Sequence, residues 1–361
     1  MRRIWRAALD QVIPYEAGPP IEDLERELGR PAVRLAANEN PLGPSPKVVE
    51  ALRREAARVH LYPDGGASAL RAALGRWAGI GPECIVMGNG GDEILGLVAR
   101  AAYEPGDEVL IPHPVFEPYE SEALLAGATL VKSPLAGYDT DLDDMRRRVT
   151  PRTKAILICS PHNPASTLVG DKALRGFLES LGGDPPLIVL DEAYRDFCDD
   201  PDVPDGVALL RDHPTLVSIR TFSKIAALAG MRVGYALARP ETIDRLNRVR
   251  APYNVSRLAQ VAALAALDDP AHLARTRELV LAERPRLTQA LRARGATVPP
   301  SQANFLLVGA GARADALRAA LRREGILVRD GAAVGFPGHL RIGVGTREIN
   351  DTILATWDSL T

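Results

Sequence analysis

The sequence predicts an α/β fold, with a large domain on a mostly parallel sheet and a small α+β C-terminal domain. Three observations point there. Short continuous apolar runs alternate with amphipathic stretches from about residue 46 to 255, and such runs suit strands buried on both faces. After residue 255 the pattern changes to long helical stretches followed by strand and helix in mixed order. A chain of 361 residues is long enough for one large domain or two.

The first thirty residues read as an arm broken at Pro14, Gly18, Pro19 and Pro20. A short helix Ile21–Leu28 follows, stopped by Gly29. Ser45-Pro46 places a capping hydroxyl before a proline at the first helical position, so a helix starts there. The strand-like runs are Val109–Pro112, Ala155–Cys159, Leu187–Leu190 and Leu216–Ile219, with helical patterns such as Leu142–Val149 and Lys172–Leu181 among them. A helical stretch from about Ser256 to Arg294 has Pro270 and Pro285 as start or kink points. Then come strand Phe305–Val308, helix Ala312–Glu324, strands Ile326–Arg329 and Leu340–Val344, and a last helix from Thr346. The expected division is an arm at 1–43 that packs with the small domain, a large α/β domain at 44–255 and a small domain at 256–361.

Charge and composition narrow the partners. The 44 Lys+Arg and 46 Asp+Glu nearly cancel, which gives no general attraction to nucleic acid or an anionic membrane. An anionic substrate must be caught by local arginines. The three cysteines, Cys84, Cys159 and Cys198, have no CxxC spacing and sit beside apolar stretches, as reduced buried thiols do. The six histidines are scattered without HExxH, so no metal site is expected. The basic N-terminus lacks the apolar core of a signal peptide and no run reaches transmembrane length, so the expectation is a cytoplasmic protein.

Several motifs carry chemistry. Arg220-Thr221-Phe222-Ser223-Lys224 follows an apolar strand, with Arg232 eight positions after the lysine. A lysine there can form a Schiff base with a carbonyl. Thr221, Ser223 and the fork of Arg232 suit a phosphate dianion. A surface Lys and Arg on a loop would share this spacing. Asp191 ends the strand-like run 187–190, and ligands of open parallel sheets bind at the carboxyl ends of strands. A carboxylate there can keep a pyridine nitrogen protonated. It would suit a nucleotide-bound metal only beside a GxxxxGK[ST] loop, which the chain lacks.

In Pro161-His162-Asn163-Pro164 two prolines fix a turn that points the Asn163 amide at a ligand, where the Tyr194 hydroxyl could join it on a phenolic oxygen. Gly88-Asn89-Gly90-Gly91-Asp92-Glu93 is a strand end, glycine turn and helix start. Glu93 stands where a dinucleotide fingerprint needs glycine, so a single-phosphate cradle made by Gly91 and Asp92 fits better. Phe116, after His113-Pro114, can stack on a flat ring or serve as core.

In chain order these make a phosphate cradle, ring stacker, phenolic-oxygen donor, ring-nitrogen carboxylate, Schiff-base lysine and phosphate arginine. With them the chain resembles the fold-type I aminotransferases that use pyridoxal 5'-phosphate, and among them the histidinol-phosphate aminotransferase subgroup. The resemblance runs through Pro14-Tyr15, Asn38-Glu39-Asn40-Pro41, Tyr62-Pro63-Asp64, the motifs above, Pro252-Tyr253-Asn254, Ala303-Asn304-Phe305, Val328-Arg329 and Leu340-Arg341-Ile342-Gly343. It implies a seven-stranded sheet, with Lys224, Asp191 and Tyr194 as catalytic residues. It further implies that Tyr62 reaches the cofactor phosphate of a neighbouring subunit in a homodimer. Arg341 would grip the substrate α-carboxylate or its equivalent, Arg329 and Tyr15 the substrate phosphate, and Asn38 would also line the substrate site. The amino donor would be glutamate, returning 2-oxoglutarate.

Two positions depart from the subgroup. His162-Asn163-Pro164-Ala165-Ser166 stands where Asn-Asn-Pro-Thr-Gly is usual, and Phe116 where tyrosine is frequent. An aromatic-amino-acid aminotransferase shares every cofactor residue, and a decarboxylase of phosphorylated amino acids is a further alternative.

Overall fold

The apolar runs become the strands of one seven-stranded sheet. In the computed structural model, which describes residues 4–14 and 18–360, these are β2 (Ile85–Gly88), β3 (Glu108–His113), β4 (Thr129–Pro134), β5 (Thr153–Cys159), β6 (Leu187–Asp191), β7 (Leu216–Thr221) and β8 (Gly234–Leu237). They follow a short β1 (Val33–Arg34). The order across the sheet is β2-β8-β7-β6-β5-β3-β4. Only β8 runs antiparallel to its neighbours β2 and β7.

Side-chain parity explains why the runs are apolar throughout. Ile156, Ile158, Ile188 and Leu190 feed the core on one side of the sheet, while Ala155, Leu157 and Val189 feed the core on the other. Truncating one such Ile or Leu to Ala costs about 2–5 kcal/mol.

Local signals set the helix ends. Ser45 Oγ accepts from the Lys47 amide and starts the helix Pro46–Glu55 with proline at its first turn. Gly29, at φ 65°, closes the helix Ile21–Leu28.

A second, three-stranded sheet lies near the C-terminus. It contains β9 (Phe305–Gly309), β11 (Arg329–Asp330) and β12 (His339–Gly343) in the order β11-β12-β9. The two-residue strand β10 (Ile326–Leu327) pairs in parallel with β1 instead. The single strand read over Ile326–Arg329 is therefore two. At Val328 the chain changes partners, from the N-terminal segment to β12. The Gly343 amide also donates to Leu35 O, tying residues before the large sheet to the C-terminal one.

The helical stretch expected over 256–294 divides into helices Arg257–Leu267 and Pro270–Ala293. The alanines Ala259, Ala262, Ala263 and Ala266 of the first enter the core of the large sheet. In packing terms that helix joins the residues before it, because its small side chains allow close approach.

No helix among the described residues is long and apolar enough to cross a membrane.

Candidate active site

The carboxyl ends of β2, β5, β6 and β7 converge, as open parallel sheets require of a ligand site. Asp191 is the last residue of β6 and is buried. Its Oδ1 accepts from the Ala193 amide and its Oδ2 from the Tyr119 hydroxyl, each at 2.9 Å. Burial pushes its pKa up to about 6 even so.

Lys224 follows β7 and is half-buried. Its Nζ donates to Ala37 O at 2.9 Å and lies 5.8 Å from the centre of the Tyr194 ring. Burial first, and then the Arg341 guanidinium, lower its pKa to about 8.

Tyr194 is buried edge-on to Phe305, with ring centres 5.1 Å apart. Its hydroxyl accepts from Asn38 Nδ2 at 3.0 Å, so its own proton remains to be donated. Asn38 sits at φ 55° and its carbonyl accepts from Asn304 Nδ2 at 3.1 Å. The buried Oδ1 atoms of Asn38 and Asn304 find no hydrogen-bond partner among the described residues.

The loop after β5 brings Asn163 to Arg341. Arg341 Nη1 donates to Asn163 Oδ1 and Nη2 to Ala36 O, both at 2.7 Å, and the guanidinium lies over the Phe305 ring at 5.5 Å. With Oδ1 engaged, the Asn163 amide hydrogens are left for a ligand. His162, the unusual residue of this loop, is fully buried. Burial lowers its pKa to about 3, and its neutral ring accepts from the Ala165 amide at 3.3 Å, which closes the turn.

The glycine turn after β2 starts the helix Gly90–Ala102. Gly90 has φ +80°, and a Cβ there would lie 2.5 Å from Arg232 Nη2, so only glycine leaves space for that guanidinium. Arg232 also holds Asp92 at 3.0 Å. A Cβ on Gly234, opposite Thr221 in the sheet, would meet the Gly90 and Gly91 backbone at 2.8 and 2.9 Å, so the cradle abuts the end of β7. There Thr221 Oγ1 donates to Ser223 Oγ and accepts from the Ser223 amide, both at 3.0 Å.

Phe116 packs half-buried against the edge of Tyr119, at 6.2 Å and 80°. Arg329 lies directly opposite Arg341 on β11 and β12, so both side chains leave the same face. Tyr62 stands outside this cluster, highly exposed and stacked on Tyr253 at 4.7 Å. Tyr15 lies outside the described residues.

Sequence reasoning missed Tyr119, the packing of Phe305 on Tyr194 and the Asn304–Asn38 contact. Tyr119 carried one weak signal, its place three residues after Phe116 with Pro118 opening a helix. The other two depend on strand pairings far apart in the chain.

The residues fit a phosphorylated pyridine aldehyde. They offer a lysine of lowered pKa, a buried carboxylate at a strand end, two buried amide oxygens without a partner among the described residues, and a glycine cradle under an arginine. The aminotransferase class I and II model matches residues 30–356. A histidinol-phosphate aminotransferase of Anaeromyxobacter sp. Fw109-5 is 47% identical over 345 residues, covering 95% of this chain and 94% of its own. One of Moorella thermoacetica is 42% identical, covering 97% of this chain and 91% of its own. The crystal structure of the Sinorhizobium meliloti histidinol-phosphate aminotransferase with pyridoxal 5'-phosphate superposes with a TM-score of 0.88 at 29% identity, over 100% of this chain and 99% of that one. The chain belongs to the class I and II aminotransferases, in the group that contains the histidinol-phosphate aminotransferases.

Proposed function

We propose that this chain exchanges an amino group between histidinol phosphate and 2-oxoglutarate, reversibly giving imidazole acetol phosphate and glutamate, a step of histidine biosynthesis. The observation that carries the reading is the pair Arg329 and Arg341, opposite each other on one face of the small sheet. Each fork can bind one oxyanion. Such a pair suits a phosphorylated amine in one half-reaction and a dicarboxylate in the other.

The cofactor is pyridoxal 5'-phosphate. When bound, it supplies an aldehyde that takes up and releases the amino group and a protonated ring that withdraws electrons from the substrate carbon. Gly91 and Asp92 at the helix start, with Thr221, Ser223 and Arg232, hold the phosphate. Phe116 covers the ring, Asp191 holds the ring-nitrogen proton, and Tyr194 and Asn163 donate to the phenolic oxygen. Lys224 anchors the cofactor through Nζ. When free, the same Nζ would move the proton at the substrate's amino-bearing carbon. A pKa of about 8 makes this base available near neutral pH. Asn38 orients Tyr194, and Tyr15 and Arg329 complete the substrate end.

Tyr62 stands apart from these groups among the described residues, stacked on Tyr253. Together with exposed Val59, Leu61 and Tyr253 it forms an apolar surface suited to a second copy of the chain, whose site the Tyr62 hydroxyl would complete. The three cysteines are free, as in a reducing cytoplasm; recovery from a secreted fraction contradicts that location.

Turnover of histidinol phosphate, phenylalanine and tyrosine with 2-oxoglutarate tests the substrate assignment. Histidinol phosphate should have the highest kcat/KM. A chain that ignores it and turns over phenylalanine is an aromatic aminotransferase.

A further inference from the structure

Asp191 has two oxygens, and the protein engages both: the Ala193 amide on Oδ1 and the Tyr119 hydroxyl on Oδ2. The amide belongs to the same turn as Asp191 and follows from local backbone. The hydroxyl comes from 72 residues away, on the helix Pro118–Ala126, and requires the tertiary fold. Tyr119 is almost wholly buried, and its one hydroxyl proton goes to Asp191. Burial, and next the Asp191 charge, hold its phenol protonated well above the ordinary range, so it remains a donor at every working pH. The same ring presents its edge to Phe116.

We propose that Tyr119 is a positioning residue for Asp191, fixing the carboxylate toward the ring nitrogen and favouring its charged form, while its ring sets the plane of Phe116. The proposal rests on the assignment of Asp191 to the ring nitrogen.

The physical case is the cost of a buried carboxylate. Burial raises Asp191 toward neutrality, and Asp92 and Glu192 push in the same direction. Against this stand the Ala193 amide and the Tyr119 hydroxyl. The other titratable groups facing the pair, Cys159 and Tyr194, are themselves held neutral by burial and add no compensating cation. Removing the hydroxyl leaves one lone pair of a buried anion without its donor. A neutral Asp191 cannot hold a protonated ring, so cofactor affinity must fall on the acid side.

The test is cofactor binding to the apoenzyme, titrated by absorbance from pH 5 to 9, for wild type, Tyr119→Phe and Asp191→Asn. Phenylalanine keeps the ring against Phe116 and removes only the hydroxyl. In wild type, affinity should fall with acid near pH 6, where Asp191 takes up a proton. In Tyr119→Phe that limb should move up by about one pH unit, since hydrogen bonds to charged groups are the strong ones. The melting temperature of the apo variant should stay near wild type, which separates positioning from packing. In Asp191→Asn the limb should vanish. A Tyr119→Phe profile that overlays wild type, with the limb absent in Asp191→Asn, overturns the role of Tyr119 alone. A limb that persists unchanged in Asp191→Asn overturns the Asp191 assignment beneath it.

Discussion

Lys224 shows how environment sets chemistry at a single residue. Burial and the Arg341 guanidinium both disfavour the ammonium, and its pKa falls to about 8, against about 10.4 for a solvated lysine. The sign follows directly: because the pKa is lowered, Nζ is already largely neutral by pH 9, where a surface lysine remains charged. An amine-directed reagent applied to the cofactor-free enzyme across pH should modify Lys224 with a midpoint near 8. A midpoint above 10 would remove the basis for a ready base. The placement of this residue, Asp191 and Asn163 could be read from the sequence because each closes or follows an apolar strand, where a parallel sheet presents its ligands. Tyr119 could not, because a phenol becomes a partner of Asp191 only when its helix is laid against the end of β6. Nor could the pull of Arg341 on Lys224, which joins residues from two different sheets.

Among the elements, the parallel strands were the most legible, since burial on both faces writes itself as a continuous apolar run. β8 was not. It is four residues long, and nothing in Gly234–Leu237 distinguishes an antiparallel return from a loop. β4 sits at the edge of the sheet with most of its residues partly exposed, so its run is diluted by polar positions. Arg329 and Arg341 were read on successive strands, and the register of β11 with β12 sets the two opposite each other. A consequence can be measured in the substrate assay. Arg341 also holds Asn163 and Ala36, so its loss would disturb the cofactor loop, whereas Arg329 gives the cleaner experiment. Arg329→Ala should lower kcat/KM for histidinol phosphate about ten- to a hundredfold, a loss of roughly 1.5–3 kcal/mol, through KM and with the cofactor absorbance unchanged. Unaltered kinetics would remove Arg329 from the substrate.

At the scale of the whole molecule, the chain closes on itself around the site. β1 pairs with β10, and the segment just after β1 supplies Ala36, Ala37 and Asn38 to Arg341, Lys224 and Tyr194. No local pattern announces this, because two-residue strands carry no period. The proposed dimer rests on the exposed Tyr62 and its apolar neighbours. Light scattering at assay concentration should give about twice the 38.8 kDa chain mass. A fully active monomer would contradict the shared site.

The central claim is that one lysine anchors the cofactor. The chain has only five lysines, at positions 47, 132, 154, 172 and 224, so the measurement is sharp. Borohydride reduction of the purified holoenzyme should abolish its visible absorbance, and peptide mass mapping should find one cofactor adduct, on Lys224. An adduct on any of the other four, or none, would contradict the account.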